Sequence, residues 1–201
     1  MSQYFDQKPD VASRTRELTY EIKGQKLSFI SDNGVFSKTQ IDVGTSILLD
    51  VIVPMPLSGR LLDLGCGYGV IGITLATFNK NLKVVCADVN ERAVSLTRTN
   101  ASRLNVASQV EAIQSNVFSN VKGQFETIVI NPPIRAGKKI TYAMYDGAYQ
   151  SLIDGGSMFI VIRKAQGAPS ALEYLESVFS SVNVINKSKG YWIIQAIKTK
   201  K

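Results

Sequence analysis

The stretch Arg60 to Ala76, RLLDLGCGYGVIGITLA, joins a buried apolar run to a helix through a turn packed with glycine. Leu61, Leu62 and Leu64 read as a short strand, Gly65, Gly67 and Gly69 as the turn, and Val70 to Ala76 as the first turns of a helix. Glycine has no Cβ and takes φ > 0 freely, so a ligand can lie against bare peptide here while the helix N-terminus offers unpaired N–H groups. A connection that served no ligand would need one glycine for its turn. This one has four within eight residues: Gly65, Gly67, Gly69 and Gly72.

Outward from that turn the chain alternates. Strands are expected at 60–64, 82–87, 109–114, 125–130, 157–162, 182–187 and 190–197, with helices at 70–78, 91–104, 140–154 and 169–181. Such alternation means an α/β fold, a mostly parallel seven-stranded sheet with helices on both faces. The tight turn Lys187-Ser188-Lys189 breaks the rhythm, so the last two strands form a C-terminal antiparallel hairpin. Upstream, ELTYEIK and KLSFISD joined by Gly24-Gln25 read as an N-terminal β-hairpin. A turn-rich loop around Phe36 follows, then a short helix over 45–53 stopped by Pro54 and Pro56; its N-terminus, near Asp42 to Ser46, is placed to line a cleft. Residues 1–56, which begin with a polar basic arm (Lys8, Arg14, Arg16), are too small to fold alone and form an extension on the main domain of 57–201.

Composition narrows the function. Apolar residues make up 45% and charged residues 19% of the chain, ordinary for a globular protein. Apolar runs are strand-sized, and MSQYFDQKPD has no apolar signal region, so a cytoplasmic protein with no membrane association is expected. Cys66 and Cys86 have neither zinc-site spacing nor a disulfide context, and no metal is expected. The chain has no histidine, which excludes triads and general-base schemes that depend on one. Against 16 acidic residues stand 23 basic ones, a net charge of +7 that suits a polyanionic partner. Arg163 and Lys164 end a strand, and Arg135, Lys138 and Lys139 directly follow a second motif, so basic surface surrounds the mouth of a site.

That second motif is Asn131-Pro132-Pro133, at the end of the strand 125–130. A nitrogen attached to an aromatic base is a poor nucleophile, because its lone pair is delocalised into the ring. Two acceptors can hold both amine hydrogens and aim that lone pair. The Asn131 side-chain oxygen is one, and the Pro132 carbonyl, stiffened by Pro132 and Pro133, is the other. A proline turn after a strand is the plain alternative. On the first reading Asn131→Asp, which keeps an acceptor and the shape, retains more activity than Asn131→Ala.

Read from Gly67, GYGVIG satisfies G-x-G-x-x-G, and Asp88 ends the next apolar run about 20 residues on, as in a dinucleotide site. Asp63, two residues before the first glycine, would repel a pyrophosphate and attract a cation. The set D-x-G-x-G-x-G, an acid after the second strand and N-P-P after the fourth resembles the class I S-adenosylmethionine-dependent methyltransferases, which have a Rossmann-like fold. The resemblance implies S-adenosylmethionine as cofactor. It implies a turn site of Asp63, Gly65, Cys66, Gly67 and Gly69, a ribose site at Asp88 and Val89, an adenine site at Asn116 and Val117, and Asn131 beside the methyl group. Asp88 can accept both ribose hydroxyls, or it can cap the helix that starts in DVNERA, a role for which Asn90 competes. Asn116 stands where many family members carry an acid, and it can accept the adenine amino hydrogen or make only a turn.

A wider set covers nearly the whole chain: GVFS, D-x-G-x at Asp42 to Thr45, LDLGCGYGVIG, DVNERAV, SNVF, NPPIRAGK and KAQGAPSA. It is similar to the RsmC-type ribosomal RNA guanine-N2 methyltransferases, in a single-domain form without that family's additional N-terminal half. The similarity implies transfer to guanine N2 in small-subunit ribosomal RNA, with that RNA or the small subunit as partner. The position after N-P-P is usually aromatic in exocyclic-amine methyltransferases, and here it is Ile134. Phe36 becomes the candidate to stack on the base, worth about 1–3 kcal/mol, or else it is an aromatic plug between extension and core. Ile134, Arg135, Lys138 and Lys139 complete the expected substrate surface. An N-P-P loop would equally hold the planar NH2 of a protein glutamine, and a non-catalytic RNA-binding assembly factor would keep the same fold. Asp63, Asp88 and Asn131 go beyond what binding alone requires.

Overall fold

A computed structural model describes residues 11–199, so residues 1–10 of the expected basic arm, with Lys8, lie outside the described residues. A hairpin of β1 (Arg16–Ile22) and β2 (Gln25–Ser31) leads into α1 (Val43–Ile52). Then follow β3 (Arg60–Leu64), α2 (Val70–Phe78), β4 (Lys83–Asp88), α3 (Glu91–Arg103), β5 (Val110–Gln114) and β6 (Phe125–Ile130). The chain continues with α4 (Lys138–Ser151), β7 (Leu152–Arg163), α5 (Ala168–Val178), β8 (Ser181–Ser188) and β9 (Tyr191–Ile197).

Strands β3 to β9 form one sheet in the order β5-β4-β3-β6-β7-β9-β8, and β9 runs antiparallel to both of its neighbours. Successive strand residues point to opposite faces, which divides the apolar side chains between two cores. Leu61, Val84, Cys86 and Val129 pack with residues of α1, α2 and α3. Leu62, Leu64, Val85, Ala87, Ile128 and Ile130 pack with residues of α4 and α5. A sheet with both faces covered reads as continuous apolar runs, and these strands do.

The N-terminal hairpin is a separate two-stranded sheet held on α3. Asn100 of α3 treats the edge of β2 as a strand partner would: its Oδ1 accepts from the Ile30 N–H (2.7 Å) and its Nδ2 donates to the Ile30 carbonyl (2.9 Å). Asn100 also donates to the Tyr68 carbonyl beside the glycine turn. Asp32, after β2, is 1% exposed and pairs with Arg92 at 2.8 Å. Burial alone would raise its carboxyl, but hydrogen bonds from Ser13, Gly34 and Arg92 outweigh it and hold Asp32 below the usual aspartate range. Residues 11–15 lie over the same place, with Arg92 donating to the Val11 carbonyl and Ser13 to Asp32.

Several boundaries depart from the sequence reading, α5 for instance ending at Val178 and not at 181, and three of them have a plain physical reason. The C-terminal hairpin turns at Lys189-Gly190, with φ of 48° and 79°, which moves Ser188 into β8 opposite Tyr191. A two-residue turn with φ > 0 at both positions matches the strand twist, and Gly190 supplies one of them without strain. For the same reason the first hairpin turns at Lys23-Gly24, and Gln25 pairs with Ile22. Helix α4 stops at Ser151 because Leu152 already pairs with Phe125, and a register shift then brings Ser157 opposite Thr127.

Candidate active site

Strand order reverses at β3 and β6, where successive connections leave in opposite directions and open a crevice at the carboxyl ends of the strands. The glycine turn follows β3 and the N-P-P loop follows β6, so the two motifs face one another across that crevice. The resulting cleft holds about 1080 Å³, at the top of the range for ligand sites of roughly 300–1,000 Å³.

One wall is the glycine turn. Gly65, Cys66 and Gly67 line it, and Gly67 has φ 57° with nothing within 4 Å of where a Cβ would stand. Asp88 reaches over from β4. Its Oδ2 accepts from the Gly67 N–H (2.8 Å) and its Oδ1 from the Asn90 N–H (2.9 Å). Asn90, not Asp88, caps α3, accepting from the N–H groups of Arg92 and Ala93. The Asp88 carboxylate therefore bridges the turn and the start of α3 with further lone pairs toward the cleft, and burial pushes it up to about 6 against the opposing hydrogen bonds. Val89, Asn116 and Val117 extend this wall. Gln114 fixes the Val89 carbonyl, and Ser115 the Val117 carbonyl.

Asp63 departs from its expected place. It is 1% exposed and stands behind the turn, outside the cleft lining. On β3 it shares the face of Leu61, which looks at α2, and its Oδ2 accepts from the Gly72 N–H (2.8 Å). Gly72 has no room for a side chain: a Cβ would stand 2.6 Å from Cys86 Sγ. Burial, with the charge of Asp88 adding, holds Asp63 up at about 7 despite the Gly72 hydrogen bond, and its Oδ1 has no partner. Gly69 is likewise one layer back, packed against Ile73 and Thr97 as the residue before α2. Cys66 reaches the cleft only as a buried wall residue, and the Cys86 thiol beside it, then burial, push its own thiol well above the usual range. That is not a nucleophile.

The opposite wall carries the N-P-P loop. Asn131, Pro132, Pro133 and Ile134 all line the cleft. The Asn131 side-chain nitrogen donates to Asp42 Oδ2 (3.1 Å) and to Thr45 Oγ1 (3.0 Å). A carboxylate can only accept, so the nitrogen must face Asp42, and what Asn131 has left for the cleft is its oxygen. Asp42 caps α1 with the same Oδ2, accepting from the Thr45 N–H (2.9 Å). Pro133 gives its carbonyl to the Ala136 N–H (2.8 Å) in a short 3-10 turn, so the Pro132 carbonyl is the second acceptor the loop can present.

Phe36 is 41% exposed at the cleft mouth, on a loop pinned by Tyr68, whose hydroxyl donates to the Ser37 carbonyl, and by Ser31, which donates to the Lys38 carbonyl. It belongs to neither apolar core. Lys138 and Lys139 are exposed at the start of α4, beside the mouth and not in its lining; the side chain of Arg135 lies outside what the structure describes. The sequence reading missed Lys38 and Tyr191, both in the lining; it placed Asp42 and Thr45 at the cleft, where they are, but not their hydrogen bonds to Asn131. Among the described residues no three Cys, Asp or Glu side chains come together to hold a metal, and no helix is long and apolar enough to cross a membrane.

The arrangement fits a ligand that carries hydroxyls and positive charge: an open backbone cradle at Gly67 and a cleft-edge carboxylate at Asp88, with the Asp63 carboxyl buried one layer behind them. Comparison with known proteins agrees. Residues 26–195 match the family profile of the methyltransferase small domain. The chain is 44% identical over 197 residues to the uncharacterized protein YbxB of Bacillus subtilis, covering 97% of this chain and 98% of that one. It is 33% identical over 171 residues to the ribosomal RNA small subunit methyltransferase C of Escherichia coli K12, covering 83% of this chain and 48% of that protein. The T. thermophilus 16S rRNA N2 methyltransferase RsmC, solved with AdoMet and guanosine, superposes with a TM-score of 0.82 at 25% identity, over 94% of this chain and 52% of its own. This chain thus spans about half the length of those two RNA methyltransferases.

Proposed function

This chain belongs to the methyltransferase small-domain family and uses S-adenosylmethionine, and on that footing we propose that it methylates the exocyclic N2 amine of a guanine in small-subunit ribosomal RNA. The observation that carries the reading is the Asn131 amide, held by Asp42 and Thr45 so that its oxygen is turned to the cleft. When bound, S-adenosylmethionine supplies a methyl group made electrophilic by its sulfonium. The chain's own part is to prepare the amine. Asn131 Oδ1 and the Pro132 carbonyl each accept one amine hydrogen, which turns the lone pair out of conjugation with the ring. No strong base is needed for the proton released, which suits a chain without histidine.

Asp88 is the ribose acceptor on this reading, Val89, Asn116 and Val117 enclose the adenine, and the backbone of Gly65 to Gly67 lies against the amino-acid end. Asp63 acts from behind the turn, through its charge and through Gly72. Phe36 stacks on the guanine with Ile134 against its other side, and Arg135, Lys138 and Lys139 meet phosphates. The likeness to RNA methyltransferases and the net charge of +7 support RNA over a protein amide. Label from radioactive S-adenosylmethionine, offered to small subunits, free ribosomal RNA and total protein, should enter RNA and be recovered on digestion as N2-methylguanosine. Label in protein alone would overturn the proposal.

The carboxyl groups give a pH signature. Asp88 at about 6 and Asp63 at about 7 both lie above the ordinary aspartate value of 3.8. The folded chain without cofactor therefore holds protons that an unfolded chain would release. The stability linked to them is fully present below 3.8 and is lost as pH rises through 6 and 7. A ligand bearing positive charge and hydroxyl hydrogens favours the ionised carboxylates. Affinity for S-adenosylmethionine should accordingly rise between about pH 5 and about pH 8, with proton release visible by calorimetry in two buffers of different ionisation enthalpy. Constant affinity with no proton exchange would uncouple both carboxyls from the cofactor.

A further inference from the structure

Beside the active-site cleft lies a second depression of about 500 Å³, lined by Arg163, Lys164, Ala165, Pro169, Lys189 and Gly190. Arg163 belongs to the linings of both, so the two are neighbours across one side chain. We propose that this groove is a second binding site, for backbone phosphates of the RNA strand flanking the target nucleotide; the inference rests on the RNA reading above.

Charge sets the ligand class. Three of the six lining residues are cations and none is acidic, while the ion pairs among the described residues, Arg92 with Asp32 and Arg103 with Glu17, involve none of them. An uncompensated cluster of this kind recruits a polyanion, and arginine and lysine are the usual partners of phosphate.

The site is also held in shape. The Arg163 guanidinium lies 5.4 Å from the centre of the Tyr191 ring. Tyr191 in turn lies on α1 where Gly44 leaves space: a Cβ at Gly44 would be 2.9 Å from the ring. Lys189 sits at the left-handed first position of the β8–β9 turn, and the Gly190 carbonyl accepts from the Lys164 N–H (2.8 Å). The backbone at Lys164 is thereby tied to the turn that carries Lys189, which keeps the two cations on one short stretch of surface.

Continuity with the cleft decides between a free anion and a strand. A guanine must leave its stack to reach Asn131, and its backbone then crosses the rim of the cleft. Arg163 stands on that rim, and beyond it the next cations are Lys164 and Lys189. A strand that leaves the cleft on this side runs directly into the groove.

The test uses the whole chain and a fluorescein-labelled single-stranded RNA with one guanine among uridines. In Lys164→Glu/Lys189→Glu, with both changes on exposed side chains, RNA affinity should fall about tenfold or more at about 100 mM salt. The slope of log K against log salt should flatten by about 1.4, from two contacts at about 0.7 each. S-adenosylmethionine affinity and the turnover at saturating RNA should stay within about twofold, so the loss appears in KM. The milder Lys164→Gln/Lys189→Gln should move in the same direction by less. If the glutamate pair leaves affinity and slope unchanged while Lys138→Glu/Lys139→Glu flattens the slope, the groove is wrong and the RNA reading stands. If the unaltered protein shows no salt-dependent RNA binding, the RNA reading falls and the groove falls with it.

Discussion

Turnover of Asn131→Ala at saturating cofactor should be about a hundredfold lower or more, with S-adenosylmethionine affinity changed by no more than about threefold. The alanine removes one of two acceptors, so the amine can rotate back into conjugation. The loss resembles that of an oxyanion-hole donor, roughly 3–4 kcal/mol in the barrier. The finer probe comes out differently from the sequence reading. Asn131→Asp keeps an acceptor and the shape, but its carboxylate would sit where the amide nitrogen now lies 3.1 Å from Asp42 Oδ2. Two carboxylates at that distance repel, and the side chain must turn away or take up a proton. Asn131→Asp should therefore be no better than alanine. Adding Asp42→Asn offers an amide N–H to the new carboxylate and should restore at least about tenfold over the single variant. Single-turnover rates measured on the three variants check this. An Asn131→Ala protein that transfers at the unaltered rate would sink the acceptor role, and an Asn131→Asp protein that outperforms alanine without help would sink the role given to Asp42.

Cofactor affinity should fall at least tenfold in Asp88→Ala, with the fold retained. Two hydrogen bonds from ribose to a carboxylate are worth roughly 3 kcal/mol or more together. The structure adds a second contribution, because Asp88 also accepts the N–H groups of Gly67 and Asn90. Alanine would leave both donors without their acceptor and slacken the turn, so the melting temperature without cofactor should drop by a few degrees. Asp88→Asn separates the two effects. It can still accept on one side and should keep most of the thermal stability while binding S-adenosylmethionine more weakly. Calorimetric titration that finds unchanged affinity in both variants would take Asp88 out of the site.

Much of the architecture is legible in the chain because its parts obey local rules. The glycine turn and the strands at 60–64 and 125–130 stand where period and composition put them. The mostly parallel sheet and the hairpin ending follow from alternation and one tight turn, whereas the strand order came only with the fold. What escaped has physical reasons. Asp63 was expected in the cleft from its spacing to the glycines, but spacing does not say which way a side chain points. Strand alternation does: Asp63 shares parity with Leu61, in the core shared with α2, and not with Leu62 or Leu64. The partnership of Asp42 and Thr45 with Asn131 has no local signature at all, since it links residues 89 and 86 apart. Tyr191 and Lys38 are ordinary residues of a strand end and a loop, and only the fold brings them to the cleft.

The distance between Asp42 and Asn131 along the chain has a consequence during synthesis. Asp42 leaves the ribosome first, and at about 5–20 residues per second the 89 residues to Asn131 take roughly 4–18 seconds. In that interval Asp42 has one task, capping α1 through the Thr45 N–H, which needs nothing downstream. The glycine turn and Asp88, by contrast, are only 21 residues apart and can meet as soon as β4 emerges. A nascent chain can thus join Asp88 to the glycine turn before Asn131 exists, and the helix cap made at the outset gains its second partner only when β6 is in place.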